Sequence, residues 1–262
     1  MKTCLIPNST MNKENNALTS LIVNNDDCIR GKHFPLTDIY NEGWMLRLVL
    51  SKSENNEKLK KAFHCSSELK WFSEAELKSP FLHGKLRETR THADAVVGSF
   101  EFEENTKTGV DLPKNKEDFH CFYAIEAKMY APLSKGIKAD SNYNQAARYL
   151  GCLAYMAFSN DIVDFDNIGL IICAPEDHKS INKESVQNSY DSLNKRILDY
   201  YKANKDHSNN REIETFNSWW ENNKDRFLDK IKIEVLRWEH LVKGDNELTL
   251  FYDKCKQYNK NN

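Results

Sequence analysis

The sequence predicts an α/β protein in which a small mixed β-sheet is flanked by helices and followed by extra C-terminal helices. Two apolar segments, 93–102 and 120–128, are separated by a charged stretch that contains Gly109 and Pro113, which is typical of a long hairpin. A third segment, 167–174, is apolar almost throughout, as a buried strand is. Segments with a helical spacing of apolar residues lie before, between and after these strands.

The N-terminal part of the chain is predicted to lead into a first helix. Residues 1–34 are rich in Asn, Ser and Thr, which indicates an irregular lead-in. Thr37 or Asp38 then offers an N-cap. The apolar residues that follow at helical spacing are Ile39, Met45, Leu46, Val49 and Leu50. The polar segment 51–61 is predicted to turn into a short helix, and 71–76 is interpreted as another short helical piece.

Helices dominate the predicted order after the hairpin. The segment 143–159 is rich in Ala and Leu, and it is expected to cross over and place the strand 167–174 beside the hairpin. Two long helices are predicted over 183–203 and 212–242, and the amphipathic segment 247–258 is predicted to be a further helix.

The composition limits the number of domains and the class of protein. The 262 residues fit a single domain over 35–262, of which about 183–262 is expected to be helical. With 37 basic and 39 acidic residues the net charge is -2, so binding of nucleic acid requires a local basic patch. The mean hydropathy is -0.71, no apolar run approaches the ~20 residues of a membrane span, and residues 1–16 lack the apolar core of a signal peptide. We therefore expect a cytoplasmic protein that does not contact the membrane.

The cysteines give no indication of a metal or redox site. There are seven of them, widely spaced: Cys4, Cys28, Cys65, Cys121, Cys152, Cys173 and Cys255. No CxxC pair occurs, so neither a zinc knuckle nor a thioredoxin-like site is supported. A free cysteine inside an apolar segment behaves as a small apolar residue, and we expect reduced thiols without a catalytic role.

Two carboxylates and a lysine stand at the ends of the predicted hairpin strands. Glu126 and Lys128 end an apolar strand, where residues two apart point to the same face. Asp94 starts the other strand and is expected to lie opposite Glu126. The Glu-x-Lys spacing alone carries little weight, because it also occurs at 68–70 and 76–78. A plain Glu–Lys pair at the rim of the sheet is the alternative interpretation.

The two carboxylates would repel each other unless a cation lay between them. Hard oxygen ligands suit Mg²⁺ or Mn²⁺, and the main-chain carbonyl of Ala127 is a candidate third ligand beside Asp94 and Glu126. Such an ion lowers the pKa of a bound water and offsets charge on a phosphate. Lys128 is then the candidate that orients the water or stabilises the transition state.

Residues on neighbouring elements extend the predicted site. Gln145 and Tyr149, spaced i and i+4 on the next helix, share a face and can look into the cleft, with Arg148 nearby for a phosphate. An ordinary amphipathic helix is the alternative for this pair. Glu42 in the first helix can complete the metal shell or remain exposed. His92 can contact a phosphate or serve as a hydrogen-bonded structural residue.

The order of these residues resembles that of a known group of enzymes. Asp94 followed by Glu126-Ala-Lys128 looks like the PD-(D/E)xK nuclease superfamily, which has the restriction-endonuclease-like fold, although Ala93 stands where the motif name has proline. Gln145-x-x-x-Tyr149 is similar to the motif of the RecB-like branch. Five short motifs between 37 and 173 also look like an uncharacterised bacterial family: Asn41-Glu-Gly-Trp-Met-Leu-Arg47, Trp71-Phe-Ser-Glu74, Thr91-His-Ala-Asp94, Glu126-Ala-Lys-Met129 and Asn144-Gln-Ala-Ala-Arg148.

The resemblance implies a central mixed sheet flanked by helices and Mg²⁺-dependent cleavage of phosphodiester bonds. The residues it implies are the metal ligands Asp94 and Glu126, Glu42 at the helical acidic position, the catalytic Lys128, and the supporting Gln145 and Tyr149. We expect a nuclease that acts on DNA. One alternative is a catalytically inactive nuclease-like fold that binds nucleic acid or a protein. Another is a nuclease subunit of a multiprotein defence or repair system that is inert alone, with the long C-terminal helices as its docking surface.

Overall fold

A seven-stranded mixed β-sheet runs through the computed structural model, which describes residues 36–64, 70–134, 136, 143–208 and 210–259. The predicted lead-in over 1–34 lies outside these residues. The strands are β1 (Trp71–Leu77), β2 (Thr91–Gly98), β3 (Glu101–Phe102), β4 (Gly109–Asp111), β5 (Phe122–Ala127), β6 (Ile168–Ala174) and β7 (Lys232–Arg237), in the spatial order β3-β4-β1-β2-β5-β6-β7. The predicted α/β class is confirmed, whereas the predicted sheet was too small.

Antiparallel and parallel pairing meet at the centre of the sheet. β2 is antiparallel to both β1 and β5, which confirms the predicted pairing of the two hairpin strands. β6 is parallel to β5, and β7 is parallel to β6. Consequently β1, β5, β6 and β7 all end at the edge of the sheet where β2 begins. We call this edge the C-terminal edge.

Helices cover both faces of the sheet. They are α1 (Leu36–Ile39), α2 (Glu42–Ser53), α3 (Glu57–Ala62), α4 (Gln145–Ser159), α5 (Lys183–Gln187), α6 (Ser189–Ala203), α7 (Asn210–Lys230), α8 (Trp238–Val242) and α9 (Asn246–Asn259). Phe122 and Ala124 of β5 belong to one apolar cluster, with residues of α4, α6 and α7. Tyr123 and Ile125 belong to the other, with residues of α2 and α9. Alternate residues of β5 therefore serve the two faces, as its sequence predicts.

The first predicted helix is divided in two. α1 is a single turn, and α2 begins only at Glu42, where the side chain of Asn41 accepts a hydrogen bond of 3.0 Å from the N–H of Trp44. Asn41 is thus the N-cap of the long helix, and the predicted cap at Thr37 or Asp38 was wrong. Thr, Asp and Asn all cap helices well, so the capping preference alone does not identify the N-cap.

The segment 71–76 forms strand β1 and not the predicted helical piece. It pairs with β2 over six positions, from Trp71 with Val97 to Leu77 with Thr91. Its two aromatic residues pack on opposite faces of the sheet. Trp71 packs on the face covered by α2, which we call the α2 face, and Phe72 packs on the face covered by α4, which we call the α4 face. Adjacent residues on opposite faces require a strand, because adjacent residues of a helix lie only about 100° apart.

The long helix predicted over 212–242 is interrupted by a strand. α7 ends at Lys230, and 232–237 forms β7 at the edge of the sheet. Ile233 and Val235 pack on the α4 face, and β-branched residues at this period favour a strand. The C-terminal part of the chain is therefore not wholly helical, since it contributes a strand to the central sheet.

The loop predicted between the hairpin strands is partly ordered. β3 and β4 pair with each other in antiparallel fashion, and β4 also joins β1 in parallel. A short 3₁₀ turn follows at Lys116–Asp118. The predicted helices over 143–159 and 247–258 and the predicted strand over 167–174 are confirmed within one or two residues.

Three described cysteines, Cys152, Cys173 and Cys255, are buried and form no disulfide, in agreement with the expected thiols. Burial raises the pKa of Cys152 to about 12, so this thiol stays protonated near neutral pH. Among the described residues, no helix is both long and apolar enough to cross a bilayer.

Candidate functional site

Asp94 interrupts the regular pairing between the two central strands. β2 and β5 pair from Gly98 with Phe122 to Ala95 with Ile125, and the next position on β2 is Asp94. There the N–H of Ala127 donates a hydrogen bond of 2.7 Å to Oδ2 of Asp94. The carboxylate of Asp94 is thereby held beside the end of β5.

The alternation of faces slips by one residue at this position. Ala93 and Val96 lie in the same apolar cluster on the α4 face, although residues an odd number apart normally face opposite sides of a strand. Across the pair, Glu74 of β1 has φ +56°, in the left-handed region that is uncommon for a residue other than glycine. The pairing register of β1 with β2 is the same on both sides of Glu74 and Asp94, because the alternation of faces shifts at the same level in both strands. Asp94 consequently sits in the middle of a strand at the point where neither face is continuous.

Glu126 is the centre of a buried hydrogen-bond network. Its side chain is 2% exposed. Oε1 lies 2.5 Å from Nζ of Lys128 and accepts a hydrogen bond of 2.7 Å from Nε2 of Gln145. Oε2 contacts the hydroxyl of Tyr149, which also lies 2.9 Å from the carbonyl oxygen of His92. The single hydroxyl hydrogen serves one of these two acceptors at a time.

The nearby carboxylate of Glu126 and the burial of the site make ionisation of Asp94 unfavourable. Burial, and after it the charge of Glu126, raise the pKa of Asp94 from 3.8 to about 7. The N–H of Ala127 and the charge of Lys128 oppose this rise, while Glu74 adds to it. Burial and the same carboxylates also raise the pKa of Tyr149 well above its ordinary value, so its hydroxyl stays protonated. The negative charge on Asp94 is thus poorly compensated in the protein alone.

The structure brings together five of the predicted residues, namely Asp94, Glu126, Lys128, Gln145 and Tyr149. Ala127 is in contact with Asp94 through its N–H, and the metal-ligand role of its carbonyl stays a prediction.

Three other predicted residues have different partners. His92 is largely exposed, with Nε2 3.3 Å from Oε1 of Glu76. Arg148 points toward a buried carboxylate, its Nε 3.9 Å from Oε2 of Glu88. Glu42 starts α2, and its charge acts on Cys255 of α9.

Glu74 is an acidic residue near Asp94 that the sequence indicates only as the last residue of the motif Trp71-Phe-Ser-Glu74, without a role in the site. Its charge acts on Asp94, and its carboxylate pairs at 2.7 Å with Arg47 of α2, whose Nε donates at 3.3 Å to Ser73. Recognition of 71–77 as a strand would have placed Glu74 opposite Asp94. The position of Glu74 near Asp94 therefore follows from the register of β1 with β2, and the motif alone does not give it.

The described residues contain no group of three or more His, Cys, Asp or Glu side chains arranged to hold a metal ion. The donor set at the site is the pair Asp94 and Glu126, with main-chain carbonyls at the C-terminal edge. Magnesium is commonly held by one or two carboxylates and several waters, so this pair is compatible with such an ion.

Comparison with known proteins gives no further assignment. No family model matches the chain, and neither the curated proteins nor the solved structures contain a significant match.

Proposed function

We propose that the protein is a metal-dependent nuclease that hydrolyses phosphodiester bonds in DNA. The observation that carries this proposal is the junction of Asp94, Glu126 and Lys128 at the C-terminal edge of the sheet. One buried and one partly buried carboxylate with a single ammonium group leave an excess of negative charge, which favours a divalent cation. The mixed sheet with helices on both faces also agrees with the restriction-endonuclease-like core that the sequence motifs imply.

The donor set fits Mg²⁺ or Mn²⁺. Asp94 uses Oδ2 for the N–H of Ala127, and no described residue donates to its other oxygen. Glu126 has donors on both oxygens, yet each carboxylate oxygen carries two lone pairs, so one can still face a cation. A bound cation would supply an activated water and offset charge on the phosphate.

The surrounding side chains hold Glu126 in one orientation. Gln145 and Tyr149 approach its two oxygens from α4, so that rotation of the carboxylate would cost both contacts. Lys128 is 14% exposed, and its ammonium contacts Oε1 of Glu126. In the proposed reaction this ammonium orients the attacking water or donates to the phosphate oxygens.

A non-catalytic nuclease-like fold that binds nucleic acid or a partner protein is the second candidate. It is favoured by the direct contact of Lys128 with Glu126, because this pair neutralises one carboxylate without a metal. The two candidates predict different results for cleavage.

The test is a cleavage assay on linear, circular and single-stranded DNA and on RNA, with Mg²⁺ or Mn²⁺. Asp94→Asn and Lys128→Gln should each lower cleavage about a hundredfold or more, since each removes a group that acts on the reacting phosphate or water. Lys60→Gln, which alters an exposed ion pair on α3, is the control and should leave cleavage unchanged. Equal activity of all three variants would refute the site, and no cleavage by the wild type on any substrate would favour the binding fold.

A further inference from the structure

The loop over 78–90 connects β1 to β2 at the C-terminal edge, where the candidate site lies. It has the sequence Lys-Ser-Pro-Phe-Leu-His-Gly-Lys-Leu-Arg-Glu-Thr-Arg, with four residues that are Lys or Arg and one acidic residue. The chain as a whole has a net charge of -2, so this loop is a local excess of positive charge. It is the kind of basic patch that binding of a polyanion requires.

The backbone of this loop is fixed by one face of α6. The hydroxyl of Tyr200 accepts from the N–H of His83 at 3.1 Å and donates to its carbonyl at 2.5 Å. Asn204 accepts from the N–H of Lys85 at 2.7 Å and donates to its carbonyl at 2.9 Å. Arg196, which lies one turn before Tyr200 on α6, donates a hydrogen bond to the carbonyl oxygen of Leu86. The loop is therefore held in a defined shape, which lowers the entropic cost of binding.

The charges of the loop are sorted between its inner and outer sides. Glu88 is buried and accepts a hydrogen bond of 2.5 Å from Ser79, and burial raises its pKa. Lys85 and Arg87 are exposed, and no described carboxylate lies within ion-pair distance of either. The acidic residue thus faces inward while two cations without partners face the solvent.

A cavity of about 170 Å³ lies between this loop and the helices α4, α6 and α7. Aromatic rings form much of its wall, among them Tyr155, Tyr201 and Phe216. Lys78 also lines the cavity, with Nζ 6.0 Å from the ring centroid of Tyr155. Asn217 also lines it, and its buried Oδ1 has no described hydrogen-bond partner. A cavity of ~150 Å³ is known to accept a benzene-sized ring, so a single unstacked pyrimidine base, which has one six-membered ring, is of suitable size.

We propose that the loop over 78–90 and this cavity bind single-stranded nucleic acid. Lys85 and Arg87 contact phosphates of the backbone, and one base enters the cavity and stacks on Tyr201. Cations along a backbone path combined with aromatic walls are the usual composition of a single-strand site, and a base in a duplex cannot enter a cavity without leaving its stack. This inference rests on the proposed nuclease function, because the single-stranded nucleic acid bound here would be the substrate of the site at Asp94.

The test measures binding in EDTA, so that its result does not depend on cleavage. A labelled single-stranded oligothymidylate and the corresponding duplex are titrated by fluorescence anisotropy at several salt concentrations. Lys85→Gln with Arg87→Gln should weaken single-strand binding about tenfold at low salt and reduce the slope of log K against log salt by about 1.4, at ~0.7 for each phosphate contact. Lys61→Gln with Lys243→Gln, which removes the same charge from exposed lysines of α3 and the α8–α9 turn, should have little effect.

The cavity is tested separately with the partly exposed Tyr201. Tyr201→Ala should weaken binding about tenfold, and Tyr201→Phe should retain it, since stacking needs the ring and not the hydroxyl. Equal loss in the Lys61 and Lys243 control, or equal affinity for the duplex, or full affinity in Tyr201→Ala, would each overturn the proposal. A protein that binds the single strand as expected but cleaves nothing with Mg²⁺ would refute the proposed nuclease activity and leave this site intact.

Discussion

Replacing Asp94 by Asn is expected to stabilise the metal-free protein at neutral and alkaline pH. Burial and the charge of Glu126 raise the pKa of Asp94 from 3.8 to about 7 in the folded protein. A difference of about 3 between the pKa of Asp94 in the folded and unfolded states lowers the free energy of unfolding by up to about 4 kcal/mol once Asp94 is ionised in both states. Asn keeps an oxygen that can accept from the N–H of Ala127, so the substitution removes the charge and leaves this hydrogen bond.

The pH dependence has a definite sign. Folded Asp94 retains its proton to a higher pH than unfolded Asp94, so its contribution to wild-type stability falls as the pH rises from about 4 to about 7. Below about pH 4 both states are protonated, and the contribution of Asp94 to the difference between the two proteins disappears. Asp94→Asn lacks this decline, and its advantage should reach its full size above about pH 7.

Urea unfolding followed by tryptophan fluorescence, in EDTA and across this pH range, measures the effect. Asp253→Asn, an exposed change on α9, is the matched control for the loss of one negative charge. A variant Asp94→Asn that is less stable than the wild type at about pH 8 would refute the reasoning. So would a difference between the two proteins that does not vary with pH.

Three further predictions concern the same structure. Saturation with Mg²⁺ should raise the unfolding free energy of the wild type by about 2.7 kcal/mol at a hundred times the Kd and leave Asp94→Asn unchanged, as thermal unfolding would show. Tyr149→Phe should lower the unfolding free energy by about 1–3 kcal/mol, because buried acceptors on Glu126 and His92 lose a donor; retained stability would contradict the network. Gly98→Ala should cost more than about 2 kcal/mol, since Gly98 has φ +121° and an added Cβ would lie 2.2 Å from a carbonyl oxygen, whereas Gly244→Ala, with φ +92° and open space, should cost less.

The hairpin and its carboxylates could be predicted because each depends on a local signal. The alternation in β5 assigns its residues to the two faces, and it places Glu126 on the side of α4, where Gln145 and Tyr149 lie. The spacing of Gln145 and Tyr149 by one helical turn then suffices to bring both to one carboxylate. Local periodicity was enough wherever the partner was the next element in the chain.

Strands β1 and β7 could not be predicted in the same way. Each has only six or seven residues, and each is stabilised by neighbours that are set by the tertiary fold. Within β1 the alternation itself slips at Glu74, which removes the period that would identify a strand. In β7 the apolar residues Ile233 and Val235 follow a charged helix of 21 residues, and the helical period obscures the change.

The positions of Arg148 and Glu42 depend on elements that no local motif places. Arg148 shares the first turns of α4 with Gln145, yet it is directed to Glu88, in a loop that is held by α6. Glu42 belongs to the helix that covers the other face of the sheet, and α9, from the end of the chain, packs beside it. Helical periodicity indicates which residues lie on one side of a helix, but it does not indicate which element packs against that side.

The two carboxylates of the site differ in a way that bears on how a cation would bind. Glu126 is surrounded by donors, whereas Asp94 has one main-chain donor and a pKa raised to about 7. A cation that binds at Asp94 must therefore compete with a proton, while the network around Glu126 is already in place. Since only the ionised carboxylate is a ligand, Mg²⁺ affinity should rise with pH up to about 7 and level off above it.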